Sequence, residues 1–288
     1  MTAALYVRRA GKSVLMFESN GIGGQIANSP RVENIPSIKS VSGSDFSDRL
    51  FEQVTDMGAE MEFGKVEKIE KVDGIFRVEA EYGNYEARSV IIANGVHHKT
   101  IGVDREEDLI GHGVSYCAVC DGAFYKGEDV VLVGDANTAL QYGILLSGYC
   151  NKVYVCTWMD KFFGDKALSD VLLTKNNVEW IKNVSLKEFV GEELEACVFT
   201  DRSGGDDVTI PCKACFIAIG QVPDNRRFDG LVDIDKAGYI IADESCTTKT
   251  DGLFVAGDTR TKSVRQLSTA IGDGAVAGTA AVMYVERL

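Results

Sequence analysis

The residues best suited to chemistry are two cysteines separated by two residues, Cys117 and Cys120, with Asp121 directly after them. Thiols at this spacing can form a small disulfide ring that closes and opens reversibly. The attacking species in such chemistry is a thiolate, and a neighbouring carboxyl group can carry the proton that the thiol gives up. The spacing therefore predicts a redox-active dithiol with Asp121 as its acid/base.

A Cys-x-x-Cys pair is also half of a structural zinc site, and the chain has a second such pair at Cys212 and Cys215. Roughly 90 residues separate the two pairs, whereas about 12 to 20 is usual between zinc half-sites. The second pair also enters a predicted strand, where cysteine is commonly a small buried hydrophobic residue. We therefore expect no metal site. The other cysteines are expected to pack in the core: Cys150, Cys156, Cys197 and Cys246.

The elements that must position the dithiol alternate between apolar strands, helical patterns and glycine turns, which is typical of doubly wound α/β folds. Residues 66–85 instead alternate as antiparallel strands do, with a turn at Asp73 and Gly74. This pattern predicts a small antiparallel sheet inserted in the first module. Buried strands are predicted at residues 13–17, 89–93, 129–133, 152–156, 215–219 and 252–256.

An internal repeat organises the chain. Residues 2–6 read Thr-Ala-Ala-Leu-Tyr and residues 138–142 read Thr-Ala-Leu-Gln-Tyr, and each leads through a helical pattern to a strand. In the second copy a strand and a turn beginning at Gly134 precede the helix, as a dinucleotide-binding βαβ unit requires. We expect the matching strand and glycine turn of the first copy, about 15 to 20 residues, to lie upstream of Met1, with a natural shortened form as the alternative.

Composition excludes several classes of function. The chain has 288 residues, of which 45% are hydrophobic, so it can bury sizeable cores, and its length predicts two domains. A formal net charge of −13 argues against nucleic acid or anionic membranes as partners. No apolar run approaches the ~18 residues of a membrane span. Eight scattered cysteines do not resemble a secreted disulfide framework, so we expect a cytoplasmic protein.

The segment from Cys117 to Asp121 resembles the active-site motif of low-molecular-weight thioredoxin reductases, and the similarity continues from Thr2 to the C-terminus. The resemblance implies an α/β fold with two Rossmann-like, doubly wound, three-layer domains. A discontinuous FAD domain, at residues 1–107 and 238–288, is then interrupted by an NAD(P)-type domain at 108–237 that carries the redox pair. It further implies a homodimer whose substrate is thioredoxin or a thioredoxin-like protein.

Several segments resemble the family's flavin-contacting residues. Glu18 ends a strand, where an acidic side chain binds a ribose hydroxyl in this fold. Gly257 and Asp258 follow another strand, and in the family they bind the ribityl and phosphate region. Each glycine can equally be an ordinary turn residue, and Glu18 a solvated strand end. The other residues that the resemblance assigns to the flavin are Gly23, Gly24, Gln25, Asn34, Arg265, Gln266 and Ala270.

The second module departs from the family in its nucleotide-binding residues. Its turn reads Gly134-Asp-Ala-Asn-Thr-Ala139, so Ala136 adds a methyl group where a glycine would let the backbone approach a pyrophosphate. After the next strand, Thr157 and Trp158 stand where the family has a His-Arg-Arg cluster for the 2′-phosphate of NADPH. NADPH binding, assigned to Gly134 and its turn, is therefore expected to be weakened.

Three hypotheses follow from this mixture of kept and lost motifs. In the first, NADPH still binds, using Lys161 or other groups, and FAD passes electrons to the cysteine pair. In the second, an external carrier such as ferredoxin reduces the flavin. In the third, the chain is a degenerate relative that binds nucleotide or a partner protein without turnover.

Overall fold

The computed structural model describes residues 1–29 and 32–288. The helices are α1 (Thr2–Arg9), α2 (Gly43–Asp56), α3 (Ala118–Asp121), α4 (Asn137–Ser147), α5 (Lys166–Leu173) and α6 (Leu267–Val285). The strands are β1 (Leu15–Glu18), β2 (Glu60–Phe63), β3 (Val66–Val72), β4 (Ile75–Ala80), β5 (Gly83–Ala87), β6 (Val90–Ile92), β7 (His97–His98), β8 (Val114–Ser115), β9 (Asp129–Val133), β10 (Lys152–Cys156), β11 (Val178–Ile181), β12 (Val184–Val190), β13 (Ala196–Asp201), β14 (Val208–Pro211), β15 (Ala214–Ile217), β16 (Gln221–Val222) and β17 (Leu253–Val255).

The six predicted buried strands all form. Those at 129–133 and 152–156 have the predicted bounds, and the other four begin and end within two residues of prediction. The antiparallel segment is also confirmed, with β3 and β4 joined at Asp73 and Gly74. Both turn residues have positive φ, 52° and 82°, which is the geometry of a tight two-residue hairpin.

The chain folds as two compact units. Unit 1 comprises Met1–His97 and Val222–Leu288, and unit 2 comprises His98–Gln221. Unit 2 contains a five-stranded parallel sheet in the order β11-β10-β9-β15-β8 and a three-stranded antiparallel sheet in the order β12-β13-β14. The parallel order matches one half of a doubly wound dinucleotide-binding fold, in which helices cross between neighbouring strands.

Alternate residues of the parallel sheet in unit 2 face two different cores. Val130 and Leu132 of β9 pack with Leu140 of α4 in one cluster. Val131, between them, packs in another cluster with Phe199 of the antiparallel sheet. Because successive side chains of a strand point to opposite faces, the apolar run of β9 buries both faces at once. Helices therefore cover one face of this sheet and the antiparallel strands cover the other.

Unit 1 contains two separate two-stranded parallel sheets, β1 with β2 and β6 with β17, and the antiparallel sheet β3-β4-β5. Leu253 and Val255 of β17 pack in a cluster with Phe76 of β4. Phe254 faces the other way and packs against Ala277 of α6. The strand β17 thus separates the antiparallel sheet from α6.

Helix α6 approaches α1 closely because two of its glycines lie against that helix. A Cβ on Gly274 would lie 2.8 Å from the Cβ of Thr2, and a Cβ on Gly278 would lie 2.6 Å from the carbonyl oxygen of Ala3. Side chains at these positions would separate the two helices. Among the described residues, none of the helices combines the length and apolar content needed to cross a membrane.

The structure places the two boundaries between the units after residues 97 and 221. Both lie earlier in the chain than the predicted boundaries, after residues 107 and 237. Ile101 and Val103 pack in the cluster beneath the parallel sheet of unit 2. Phe228 and Val232 pack instead with the strands of unit 1. The choice of core for such short apolar segments depends on long-range packing, which local sequence patterns do not report.

Candidate functional site

The predicted redox pair lies in unit 2, directly after β8. Cys117 and Cys120 form a disulfide with their Cα atoms 5.3 Å apart, and α3 begins between them. The backbone amide of Cys120 donates a hydrogen bond to the Cys117 sulfur at 3.2 Å. Both cysteines are partly exposed, and the intervening Val119 is 49% exposed. The sulfurs are thus within reach of a reactant, which redox chemistry requires.

The carboxyl group of Asp121 is anchored beside this pair. Its Oδ2 accepts a hydrogen bond of 2.6 Å from the hydroxyl of Ser115 at the end of β8. The same hydroxyl oxygen accepts the backbone amide of Cys117 at 3.0 Å. Ser115 is 4% exposed and was not among the residues predicted from the sequence. The only local signal is a serine two positions before the first cysteine.

The six remaining cysteines are free and buried, as the packing interpretation predicts. Cys212 contacts Cys197 on the neighbouring strand, with 3.7 Å between their sulfurs. Its pKa is raised by that contact and by burial. Burial also raises the pKa of Cys150 to about 11 and that of Cys246 to about 11. The described residues contain no group of three or more potential ligands arranged to hold a metal ion.

Thiol titration should therefore separate the cysteines into two classes. Fully reduced native protein is expected to present two rapidly reacting thiols, Cys117 and Cys120, and eight after unfolding in denaturant. Buried thiols with raised pKa values contain almost no thiolate at neutral pH and react slowly. Mass spectrometry after brief alkylation locates the modified residues. A third cysteine alkylated as fast as these two would contradict the assignment.

Unit 1 contains the segments that resemble a flavin site, beginning after β1. Glu18 ends this strand, and its Oε1 accepts the amides of Asn20 at 2.9 Å and Gly21 at 3.4 Å. Gly23 has φ 99°, and a Cβ there would lie 2.2 Å from the hydroxyl oxygen of Ser47 in α2. Glycine is therefore required where this turn meets α2.

The next two residues assigned to the flavin, Gly24 and Gln25, differ in their contacts with the rest of unit 1. Gly24 also has positive φ, 57°, but a Cβ there would meet no atom within 4 Å. The side-chain amide of Gln25 donates a hydrogen bond to the carbonyl oxygen of Val96, after β6. This bond ties the segment after β1 to the end of β6.

Asp258 shows the clearest sign of a missing partner. It follows β17, and its Oδ1 is buried without a hydrogen-bond partner among the residues that the structure describes. Burial raises the pKa of this carboxyl group, although Lys262 and Arg265 lower it. A buried oxygen that lacks a donor is costly, and a ligand hydroxyl can satisfy it. This observation fits the assignment of Asp258 to the ribityl region of a flavin.

The start of α6 collects the other predicted flavin residues. Arg265 donates to the carbonyl oxygen of Asp258 at 3.2 Å, and its guanidinium lies 3.9 Å from the centre of the Tyr239 ring. Asn34 donates to the side-chain oxygen of Gln266 at 3.0 Å. Ala270 has the atom closest to a Cβ built on Gly257, at 3.8 Å. The structure thus brings Asn34 and the turn at Gly257 and Asp258 together at the start of α6.

Sequence reasoning missed a buried ionic cluster behind this site. Asp273 of α6 accepts hydrogen bonds of 2.8 Å from Arg260 and from Lys262, and one of 2.9 Å from the amide of Gly257. The side chains of these three ionic residues are only 3 to 9% exposed. The cluster holds the turn that carries Asp258. Its only sequence signal is an acidic residue between two glycines in an apolar helix.

The nucleotide turn of unit 2 keeps its shape at Gly134. A Cβ there would lie 2.5 Å from the carbonyl oxygen of Ala218, so the tight passage from β9 to α4 requires glycine. The rest of the turn is engaged by the segment after β10. The amide of Phe163 donates to the carbonyl oxygen of Asp135 at 2.7 Å, and that of Asp165 donates to the Asn137 side chain at 2.6 Å.

The two residues that directly follow β10 are uncharged, and the guanidinium nearest to them is already engaged. Thr157 is 1% exposed, and its hydroxyl group donates to the carbonyl oxygen of Met159 and accepts from Trp180. Trp158 follows, and its ring is covered by the guanidinium of Arg202 at 3.6 Å. Arg202 also donates to the carbonyl oxygen of Trp158 at 2.7 Å. These residues do not fit the usual 2′-phosphate site of NADPH.

Comparison with known proteins gives consistent matches over the whole chain. The family described as "Pyridine nucleotide-disulphide oxidoreductase" matches residues 1–274. A protein of Listeria monocytogenes named "Thioredoxin reductase" is 39% identical over 292 aligned positions, covering 100% of this chain and 91% of that protein. A protein of Bacillus subtilis with the same name is 38% identical and is covered to 92%.

A solved structure also matches this chain in three dimensions. The crystal structure of thioredoxin reductase from Streptococcus pyogenes superposes with a TM-score of 0.95 at 34% sequence identity. The match covers 100% of this chain and 94% of the other. The α/β fold with two Rossmann-like domains, predicted from the sequence, is therefore confirmed.

Proposed function

Since the chain belongs to the pyridine nucleotide-disulphide oxidoreductase family, we propose that it is a flavin-dependent reductase of thioredoxin or a similar small disulfide protein. The observation that carries this proposal is the partly exposed Cys117–Cys120 disulfide with Asp121 anchored beside it. No structural need explains such a group on its own, because unit 2 has an extensive buried core without it.

Unit 1 is the proposed FAD domain and unit 2 the inserted domain that carries the redox pair. Asp258, with its buried unpaired oxygen, would accept a ribityl hydroxyl, and Glu18 a ribose hydroxyl. Arg265 and Gln266, at the start of α6, would contact the ring region. A flavin bound in this unit supplies the electron pair that opens the cysteine disulfide.

The residues of unit 2 perform the disulfide exchange. Once Cys117 and Cys120 are reduced, one thiol attacks the partner's disulfide as Asp121 accepts its proton. The second cysteine then attacks the mixed disulfide and releases the reduced partner. The amide of Cys120 stabilises negative charge on the Cys117 sulfur through its hydrogen bond.

The immediate electron donor is proposed to be a reduced carrier protein such as ferredoxin rather than NADPH. Two observations support this: Thr157 and Trp158 stand where the resemblance predicts cations for the 2′-phosphate, and the side chain of Asn137 in the pyrophosphate turn is bonded to Asp165. The chain's net charge of −13 means that an acidic carrier would need a local basic surface.

A donor comparison tests this point. We expect NADPH to bleach the flavin no more than about threefold faster than NADH. Each charge-assisted hydrogen bond to the 2′-phosphate would favour NADPH by ~10- to 100-fold, and the residues after β10 do not supply such bonds. Reduced ferredoxin is expected to bleach it much faster than either nucleotide. Anaerobic stopped-flow spectroscopy with the three donors in parallel measures the rates. Rapid bleaching by micromolar NADPH would remove the reason for a protein donor.

Three further assignments belong to the same proposal. The protein is proposed to be a homodimer, on the family resemblance, and light scattering would measure its mass in solution. It is proposed to act in the cytoplasm, since its six free thiols suit a reducing compartment. The competing function is a degenerate relative without turnover. A colourless preparation that stays colourless with added FAD would favour that alternative and defeat the proposed reductase.

The reductase activity can be tested independently of the donor. The flavin is reduced photochemically under anaerobic conditions, and the reduced protein is then mixed with oxidised thioredoxin. Reoxidation of the flavin together with two new thiols on thioredoxin is the expected result, since one electron pair opens one disulfide. Absence of new thioredoxin thiols would exclude thioredoxin as the substrate.

A further inference from the structure

The side chain of Ser115 contacts both the Asp121 carboxyl group and the backbone of Cys117. Its hydroxyl oxygen lies 2.6 Å from Oδ2 of Asp121 and 3.0 Å from the backbone nitrogen of Cys117. It stands at the end of β8, which pairs with β15 in the parallel sheet of unit 2. With 4% exposure, the side chain is held by packing.

The direction of these two hydrogen bonds is determined by their chemistry. A backbone N–H can only donate, so the Ser115 oxygen accepts from Cys117. The hydroxyl proton is then available to the carboxyl group, and the bond at 2.6 Å has the length of a charge-assisted bond to a carboxylate. A donor in this position favours the ionised form of the carboxyl group over the protonated form.

We propose that Ser115 is a positioning residue that keeps Asp121 ionised, so that it can accept the proton of the attacking cysteine. The inference rests on the proposed reductase function and deepens it. In the full reaction the Cys117–Cys120 bond forms as the partner's S–S bond breaks, and two electrons and two protons pass to the partner's thiols. Asp121 takes up the first proton as the attacking sulfur begins to bond, and returns it to the partner's departing sulfur.

Two tyrosines face Asp121 from the surrounding elements. Tyr125 follows α3, and Tyr142 lies on α4, which packs against α3. Burial raises the pKa of both phenols, and the charge of Asp121 raises them further. Both therefore stay neutral between about pH 5 and pH 9, since an unperturbed tyrosine titrates near pH 10. A pH dependence of the exchange rate in this range therefore does not arise from titration of either tyrosine.

The test measures thiol–disulfide exchange without flavin turnover or thioredoxin. The whole protein is reduced chemically, the reductant is removed, and dithiobis-nitrobenzoate is added over a range of pH in a stopped-flow instrument. For Ser115→Ala we expect the acidic limb of the rate profile to move up by about one pH unit, because the ionised carboxyl group loses a donor. The rate then falls about tenfold at each pH on the acidic limb and changes less than about threefold on the plateau above it.

Three variants control the interpretation. Ser115→Thr keeps a hydroxyl donor and should restore the original profile. Tyr116→Phe removes a neighbouring hydroxyl that donates to Glu106 instead, at 2.6 Å, and should not move the limb. Asp121→Asn should displace the acidic limb to the position set by ionisation of the attacking thiol alone, and adding Ser115→Ala to it should cause no further shift, as expected for two residues acting as one unit.

Clear outcomes would overturn the inference. A Ser115→Ala profile that superimposes on the original, or falls by one factor at every pH, leaves Ser115 with a merely structural role. If that variant does not fold, an Asp121→Asn profile that superimposes on the original refutes the inference instead. If the intact enzyme fails to reduce thioredoxin while the limb still depends on Ser115, the proposed substrate is wrong and the inference stands.

Discussion

Replacing either Cys117 or Cys120 with serine will lower thioredoxin reduction by at least about a thousandfold, because neither variant can form the disulfide that carries the electron pair. The two cysteines are bonded to each other, so each replacement removes the whole proposed redox centre of unit 2. Flavin binding should be unchanged, since every proposed flavin residue lies in unit 1. Visible absorption and a coupled thioredoxin assay on the same preparation measure both properties.

Cys212→Ala is the matched control for this experiment. Cys212 lies in the same unit and contacts Cys197, but it is buried in the core and distant in sequence from the redox segment. Removing one buried sulfur costs some stability, and turnover should stay within about twofold. Substantial activity in either Cys117→Ser or Cys120→Ser, or a comparable loss in Cys212→Ala, would refute the assigned dithiol.

The second large effect concerns stability. Asp273→Ala should lower the free energy of unfolding by about 3 to 5 kcal/mol, because buried Arg260 and Lys262 would lose the carboxylate to which they are hydrogen-bonded, and Arg260 would keep only its 3.8 Å contact with exposed Glu244. Their side chains are 3% and 6% exposed, so bulk water reaches them little. The amide of Gly257 also loses its acceptor, so the turn before Asp258 should loosen and flavin affinity should fall. Urea unfolding followed by circular dichroism, and flavin titration, measure the two effects.

Asp170→Ala provides the contrast. Asp170 pairs with Lys166 at 2.8 Å, but both side chains are well exposed, at 60% and 85%. Surface pairs of this kind are worth less than about 0.5 kcal/mol, so the urea midpoint should hardly move. Equal midpoint shifts in Asp170→Ala and Asp273→Ala would show that the buried cluster does not stabilise the fold.

The same cluster predicts a pH dependence with a definite sign. Burial alone would raise the pKa of Asp273, but hydrogen bonds from Arg260, Lys262 and the Gly257 amide bring it below its ordinary value. A depressed pKa in the folded state contributes stability that is present above the unfolded value of about 3.9 and is lost as the pH falls through the folded value. The stability difference between the original protein and Asp273→Ala should therefore shrink below about pH 4.

Local sequence patterns were sufficient for the redox pair and for the elements around it. The spacing of Cys117 and Cys120 requires only one turn of chain to bring two sulfurs together, so the disulfide could be predicted without a fold. The strands β9 and β10 were predicted to the residue, because each is a short apolar run bounded by turns. The family itself was evident from motifs that are each contiguous in the chain.

Contacts between distant segments were decided only by the tertiary structure. The hydrogen bond between Asn34 and Gln266 joins residues more than 200 positions apart, and the cluster around Asp273 joins a turn to the buried face of a helix. Ser115 and Asp121 are close in sequence, yet their contact depends on the angle between β8 and α3. Likewise, residues 98–107 join unit 2 because Ile101 and Val103 find their apolar partners there.

One physical reason explains why local elements could be predicted from the sequence and long-range contacts could not. Periodicity and spacing record which groups a short stretch of backbone can bring together, because its few dihedral angles have few allowed values. Which carboxylate meets which hydroxyl or cation across the fold depends on how whole elements pack, and many packings are compatible with the same local pattern. The sequence by itself thus predicted the chemistry of the sulfurs, and the fold decided which groups contact the Asp121 carboxyl group and which hold the turn at Asp258.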